Sequence, residues 1–173
     1  MSATTPGCTS LDKAIAAAAP AHGMLPAEAL LKTASLQSAI LYNPHLSLIA
    51  TDEKGVIQLF NIGAERLLGY AAAEMVNQAT PAHFSEPPDV MARAVLLSRE
   101  FGTPIAPGFE ALVFKAAREI DDIYELNCMR KDGSRVPLLV AVTALRDAGG
   151  AIIGYLLICT DNLERKAIEE KLR

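Results

Sequence analysis

The chain has 173 residues and a mass of 18.4 kDa, a size that fits one domain and excludes two large ones. Hydrophobic residues make up 51% of it, but 29 of them are alanines, so we expect a core built mainly from Leu, Ile and Val. A net charge of −4 offers no basic surface for nucleic acid, and we predict no nucleic-acid partner.

The cysteine spacing and the hydropathy pattern restrict the class of protein further. Cys8, Cys128 and Cys159 stand far apart, and the sequence contains no CxxC or paired-histidine spacing, so no metal site is predicted. Such isolated cysteines fit a reducing cytoplasm. The charge-free stretches 14–27 and 148–160 fall short of the roughly 18 to 20 apolar residues of a membrane span. We therefore expect a cytoplasmic location and no membrane span in this segment.

The amino-terminal part divides into two segments. Residues 1–23 are rich in Ala, Ser, Thr, Pro and Gly without an apolar period, which predicts a flexible tail. Residues 24–43 predict an amphipathic helix that begins near Pro26 and ends at Asn43-Pro44. Two apolar stripes run along this helix. If only one stripe is used, the helix packs on its own domain. If both are used, the helix also packs against the same helix of a second copy. On the second interpretation we expect a homodimer through the N-terminal helix.

Three turn signals divide the later apolar runs into five predicted strands. Asp52-Glu53-Lys54-Gly55 lies between two short apolar runs within 46–61, and it predicts a β-hairpin because Gly55 can adopt the left-handed conformation. Two further signals, 131–134 and 147–150, separate three longer runs. These runs are Ile123–Arg130, Arg135–Leu145 and Ala151–Thr160.

The interval between the hairpin and the last three strands has helical patterns. Asn61 can cap the first predicted helix and Gly69 can end it. Because the helices are bunched between strands without βαβ alternation, they indicate an α+β fold. The predicted helices are Ile62–Leu68, Ala71–Val76, Asp89–Phe101 and Phe109–Arg118.

Several segments of this chain resemble, in order and spacing, the sequence pattern of PAS domains, and together they cover about four fifths of its length. The opening is ATD followed by Gly55, and then NIGAERLLGY at 61–70. The second half contains RKDGS at 130–134, VTALRD at 142–147 and IGY at 153–155. DNLERK at 161–166 is similar to the DITERK exit of the family, with Asn-Leu where the pattern has Ile-Thr.

The resemblance implies a five-stranded antiparallel sheet in the order 2-1-5-4-3, with the helices over one face around a small cavity. Residues 44–162 would form this sensory core, and 163–173 would begin a C-terminal linker helix. PAS domains are mostly non-catalytic inputs to histidine kinases, diguanylate cyclases, chemoreceptors and transcription regulators. We therefore expect a domain of a longer bacterial signalling protein that binds a small ligand, mediates dimerisation, or does both, and acts on a downstream effector.

The resemblance also implies which residues line the cavity. Alternate residues of the last three strands should point inward, and apolar helix residues should form the opposing wall. The strand candidates are Tyr124, Leu126, Cys128, Leu138, Val140, Val142, Tyr155, Leu157 and Cys159. The helical candidates are Leu68, Phe84, Val90, Leu97, Phe101 and Phe109. The same residues would also fit a plain core without a ligand, so both interpretations stay open.

Two cofactors of the family make different demands on this chain. The covalent flavin adduct of the photosensors requires a cysteine in the segment 76–84, which contains none, so this adduct is excluded. Haem ligation requires a helix histidine, and His83 is the best placed of three, although its proline-rich surroundings favour a surface or capping role. The cofactor is therefore unknown at this stage.

Three charged residues are candidates for signal transmission: Glu65, Lys131 and Asp161. The family pattern implies that Glu65 meets a basic side chain of the Arg130-Lys131 strand end and links the helices to the sheet, the alternative being a solvated carboxylate. Asp161 ends the fifth strand, where its carboxylate can cap the exit helix and set its angle.

An enzyme of α+β fold is the alternative from a different class. It would use Tyr124, His83 or Asp121-Asp122 as acid and base. No catalytic-triad or phosphate-loop spacing supports it, and Asp121-Asp122 has the pattern of a solvated loop. We therefore predict that the domain itself is not an enzyme.

Overall fold

The computed structural model describes residues 34–36, 38–39 and 41–172, with only the backbone at 164 and 165. The predicted tail at 1–23 and most of the predicted helix at 24–43 lie outside these residues. The described residues from 34 to 41 are helical, and Leu36 and Leu41 among them are exposed. Pairing of two copies through this helix stays a prediction.

Five antiparallel strands form a single sheet in the order β2-β1-β5-β4-β3, as predicted. The last strand lies between β1 and β4, so the segments that enter and leave the fold are neighbours. The strands are β1 Ser47–Asp52, β2 Ile57–Phe60, β3 Asp122–Met129, β4 Arg135–Arg146 and β5 Ile152–Asp161.

Most of the helical structure lies between β2 and β3. The α-helices are α1 Ile62–Leu68, α2 Ala72–Met75, α3 Pro87–Phe101, α4 Phe109–Val113 and α5 Leu163–Lys171. The predicted helix at 109–118 is divided into α4 and a 3₁₀ turn. Helix α3 begins two residues before the predicted Asp89, at Pro87, because prolines fit the first turn of a helix, where the N–H groups lack partners. The 3₁₀ turns are Pro81–His83 and Ala116–Arg118.

Asn61 caps α1, as predicted, and also joins this helix to the sheet. Its Oδ1 accepts from the N–H groups of Ala64 and Leu48, both at 2.9 Å, and its Nδ2 donates to the Leu46 carbonyl at 2.6 Å. Gly69 ends the helix with φ +78°, in the left-handed region. One buried amide therefore fixes α1 against the start of β1.

An aspartate lies within each of three tight turns between paired strands. Asp52, Asp132 and Asp147 each accept through Oδ1 from backbone N–H groups two, or two and four, residues further on, at 2.8 to 3.0 Å. Such bonds stabilise a turn from within its own sequence. This is why the three turn signals could be found without knowledge of the fold.

The hydrophobic core lies between one face of the sheet and helices α1 to α4. Residues of β3, β4 and β5 alternate between this inner face and the outer face, as a pleated strand requires. A smaller buried cluster, of Leu48, Ala50 and Leu59, lies on the outer face. The fold is therefore a sheet roofed on one side by helices.

Within the described ranges, the helices are too short or too polar to cross a membrane.

Candidate functional site

The residues predicted to line a cavity all lie in the core between the sheet and the helices. Three of them, Phe101, Phe109 and Tyr124, are half-buried and pack against the core. That the group binds a ligand stays a prediction. The twelve fully buried members are Leu68, Phe84, Val90, Leu97, Leu126, Cys128, Leu138, Val140, Val142, Tyr155, Leu157 and Cys159.

Aromatic rings extend across the space between α4 and the sheet. The rings of Phe109 and Tyr155 meet edge to face with centroids 5.6 Å apart. A Cβ built on Gly55, where φ is +94°, would lie 2.6 Å from the Phe109 ring, so the β1–β2 turn closes directly over this ring. The Phe109 ring therefore fills the gap between that turn and β5.

The polar atoms of this core are uncharged at neutral pH. Burial raises the pKa of the Cys159 thiol to about 12, and it raises the pKa of Cys128 well above the ordinary range. Burial likewise raises the pKa of the Tyr124 phenol, whose hydroxyl donates to the Leu112 carbonyl at 2.9 Å. The inner wall is therefore apolar and neutral.

A buried ion pair at the edge of the core was missed by the sequence analysis. Arg93 of α3 donates from Nη2 to Asp122 Oδ2 at 2.5 Å and from Nε to the Ala111 carbonyl at 2.8 Å. Its guanidinium carbon lies 3.6 Å from the centroid of the Tyr124 ring. A single side chain thus fastens α3 to α4 and to β3.

The prediction that Asp122 lies in a solvated loop is wrong. Asp122 begins β3, one residue earlier than predicted, and is 6% exposed. Burial raises the pKa of its carboxyl, and the neighbouring Arg93 opposes that rise. The signal that could have revealed the pair is the position of Arg93, three residues after Val90 and four before Leu97 on the buried side of α3.

The residues considered as acid and base for an enzyme have other partners. Asp122 and the Tyr124 ring are engaged by Arg93, whereas the exposed His83 packs edge to face against Tyr70 at 5.8 Å. This position also places His83 at the surface and outside the core in which haem would have to lie. Across the described part of the chain, no three His, Cys, Asp or Glu side chains are grouped as metal ligands.

The expectation that Glu65 pairs with a basic side chain of the Arg130-Lys131 strand end is wrong. Glu65 accepts through Oε2 from the N–H of Ala72 at 3.0 Å, because the start of α2 has free amides beside it. Lys131 instead pairs with Glu74 of α2. Arg130 completes the link by donating from Nε to the Leu67 carbonyl at 3.0 Å.

The start of α5 is fastened to the outer side of the sheet. Asp161 accepts through Oδ1 from the N–H of Leu163 at 2.8 Å, whereas the side chain of the N-cap residue Asn162 makes no capping bond. The Asn162 amide donates instead to Glu125 Oε1 at 3.3 Å, and Lys166 Nζ lies 3.6 Å from Glu125 Oε2. The exit helix is therefore held by its first residues and by β3.

Comparison with known proteins identifies relatives of this architecture. The sequence model described as PAS domain matches residues 44–164. A structure described as an RNA-binding Light-Oxygen-Voltage receptor is 19% identical, with a TM-score of 0.63 over 88% of this chain. The PAS domain of a protein from Colwellia psychrerythraea is 18% identical, with a TM-score of 0.55 and coverage of 76% of this chain and 96% of that one.

A further structural relative is the PAS domain of an HTR-like protein from Haloarcula marismortui, 19% identical with a TM-score of 0.52 over 78% of this chain and 96% of that one. The present chain matches only 39% of the length of the RNA-binding receptor. None of the curated proteins matches it. At these identities the structural likeness establishes the fold alone.

Proposed function

Because this chain belongs to the PAS domain family, we propose that residues 44–162 form a sensory input domain that binds a small ligand at the inner face of the sheet. The observation that carries this proposal is the double role of β5. This strand supplies Tyr155, Leu157 and Cys159 to the inner face and continues directly into α5. A change in the packing of the inner side chains can therefore be transmitted along the backbone of β5 to the exit helix.

The route to the exit helix runs through adjacent residues of β4 and β5. Leu138, a buried member of the inner wall, lies opposite Asp161 in the strand register, and Val140 lies opposite Cys159. Asp161 in turn holds the first amide of α5. We infer that ligand binding shifts this end of β5 and changes the angle or stability of the helix that leads to an effector.

The inner wall supports a neutral, mostly apolar ligand. Its thiols and phenols are held in their uncharged forms by burial, and the remaining members are aliphatic or phenyl side chains. A charged ligand would lose its hydration here without gaining a counter-charge. Entry requires Phe109 to move, because its ring closes the gap between Gly55 and Tyr155.

The test is native mass spectrometry of gently purified protein. A co-purifying small molecule is expected. Hydrogen exchange of the α5 amides is then compared between the protein as purified and protein freed of that molecule by unfolding and refolding. Slower exchange of α5 in the loaded protein supports coupling, whereas an empty protein, or unchanged α5 exchange, contradicts the proposal.

A matched pair of variants on β5 separates coupling from general destabilisation. Leu157 is buried at the inner face, and its neighbour Leu156 is half-buried at the outer face. We expect Leu157→Ala to weaken ligand binding, and Leu156→Ala to leave it unchanged. Equal loss of the ligand in both variants would show that stability, not the inner wall, controls binding.

A ligand-free dimerisation module is the second candidate function. The direct ring contact between Phe109 and Tyr155 favours it, because this contact already fills part of the interior. Replacing the exposed Leu36 and Leu41 together by Ser should then convert a dimer to a monomer in sedimentation equilibrium. Leu96→Ser, an exposed leucine on α3, is the control.

We place this domain in the cytoplasm, upstream of an effector such as a histidine kinase or a diguanylate cyclase. The isolated cysteines support the compartment, and membership of the PAS domain family supports the role of an input to an effector.

A further inference from the structure

An open cleft of about 810 Å³ lies between α1 and the ends of β1 and β5. It borders the segment that enters the fold and the segment that leaves it, and of the residues assigned to the proposed apolar site it shares only Cys159. It is therefore a separate place from the proposed apolar site. Its chemically distinctive lining residues are His45, Ser47, Arg66, Arg130, Asp161 and Leu163.

The wall of this cleft contains a buried hydroxyl without a partner. Ser47 is 4% exposed, and its Oγ has no hydrogen-bond partner within the part of the chain that the structure describes. Ser47 belongs to the lining of the cleft, beside Cys159, its partner in the strand register. An unsatisfied buried hydroxyl destabilises a protein, so the site favours a ligand atom that accepts from it.

The charges of the cleft favour an anion. Arg66 and Arg130 contribute two guanidinium groups, against the single carboxylate of Asp161. Arg130 is held in place, because its Nε donates to the Leu67 carbonyl at 3.0 Å and its Nη1 to Ser134 Oγ at 3.2 Å. One oxygen of Asp161 is already engaged by the N–H of Leu163. These three side chains leave an excess of one positive charge.

We propose that this cleft binds a small organic acid with a single carboxylate. The carboxylate lies against Arg66 and Arg130, the residue type best suited to carboxylates, and accepts from the Ser47 hydroxyl. The aliphatic part of the acid packs against Leu67 and Leu163, which are also in the lining. Asp161 disfavours an anion of higher charge.

This site goes beyond the apolar pocket and affects the same output. Leu163 is the first residue of α5, and Pro44 and His45 precede β1, so an acid bound here contacts both connections of the domain. Occupancy would hold the exit helix beside the entry segment. The proposal does not depend on a ligand at the inner face, since the two sites share only Cys159.

The test is a titration of the full chain with sodium butyrate at constant ionic strength, followed by amide and arginine Nε–H NMR signals. We expect saturable shifts at Ser47, Arg66 and Leu163, and none with butyramide, the uncharged analogue. Arg66→Gln should weaken butyrate binding about tenfold, as loss of one charge-assisted contact predicts. Arg99→Gln, an exposed arginine of α3, is the matched control and should leave binding unchanged.

Several outcomes would overturn the proposal. These are the absence of saturable shifts at the cleft, equal binding of butyrate by wild type and Arg66→Gln, or stronger binding of inorganic phosphate at the same residues. Ser47→Ala gives an independent check, because it should weaken butyrate binding several-fold without loss of stability. A negative titration leaves the co-purification result at the inner face unaffected, so failure of the two proposals can be distinguished.

Discussion

Replacing Arg93 by Met should destabilise this protein more than removing the charge of its partner Asp122. The Asp122 side chain is 4% exposed and that of Arg93 is 15% exposed. Without Arg93 a buried carboxylate has lost its counter-charge, a change that costs about 3 to 5 kcal/mol in buried pairs. The partial exposure of Arg93 places the expected loss at the lower end, about 3 kcal/mol.

Removing the charge of Asp122 instead leaves most of the contacts of Arg93 in place. In Asp122→Asn the side-chain oxygen still accepts from Arg93, which keeps its bond to the Ala111 carbonyl and its contact with the Tyr124 ring. Burying a neutral amide also avoids the desolvation of a carboxylate. We therefore expect a loss of about 1 kcal/mol, the order of one hydrogen bond.

The loss of unfolding free energy caused by Arg93→Met should also be smaller at acidic pH. Burial raises the pKa of Asp122, whereas Arg93 and Lys115 oppose this rise, so removing Arg93 should raise the pKa of Asp122 further. An acid whose folded pKa is raised destabilises the folded state when ionised, and protonation removes this penalty as pH falls through the raised pKa. The difference in unfolding free energy between wild type and Arg93→Met should therefore be smaller at about pH 4 than at neutral pH.

Urea unfolding followed by far-UV circular dichroism measures these differences, because the chain has no tryptophan. The reasoning would be refuted by a loss below about 1 kcal/mol for Arg93→Met, by an equal or larger loss for Asp122→Asn, or by a cost independent of pH. An unchanged m-value in all variants is the control for two-state behaviour.

Three further predictions concern the contacts between the helices and the sheet. Gly63→Ala should lose about 1 to 3 kcal/mol in urea unfolding, because its Cβ would clash with the backbone carbonyl oxygen of Leu46. Gly149→Ala, in an exposed turn, should be near neutral, and a similar loss in both would contradict the steric argument. Asn61→Ala should lose about 2 to 3 kcal/mol, because it leaves two N–H groups and one carbonyl of the α1–β1 junction without their partner; unchanged stability would disprove this role. The hydrogen bond from Lys131 lowers the pKa of Glu74, so its contribution to stability is present at neutral pH and is lost as pH falls through that lowered pKa. Glu74→Gln should remove this part of the acid dependence in unfolding measured from about pH 7 to pH 3, and superimposable profiles would exclude it.

The sequence by itself determined the features that depend on nearby residues. The three strand-connecting turns are stabilised by an aspartate within the turn, and α1 is delimited by Asn61 and Gly69. Alternation along β3 to β5 separated inner from outer side chains, because the pleat of a strand has a period of two residues. Order and spacing of these signals then sufficed to predict the strand order through the family resemblance.

Only the tertiary structure decided which charged groups meet. Arg93 and Asp122 are 29 residues apart in sequence, and Lys131 and Glu74 are 57 apart. Their pairing depends on how α2 and α3 cross the sheet, which no local pattern encodes. The same holds for the cleft beside Ser47, because its walls come from both connections of the domain and from α1. Charge and burial at a site are properties of segments that are distant in sequence, whereas turns and caps are properties of neighbours.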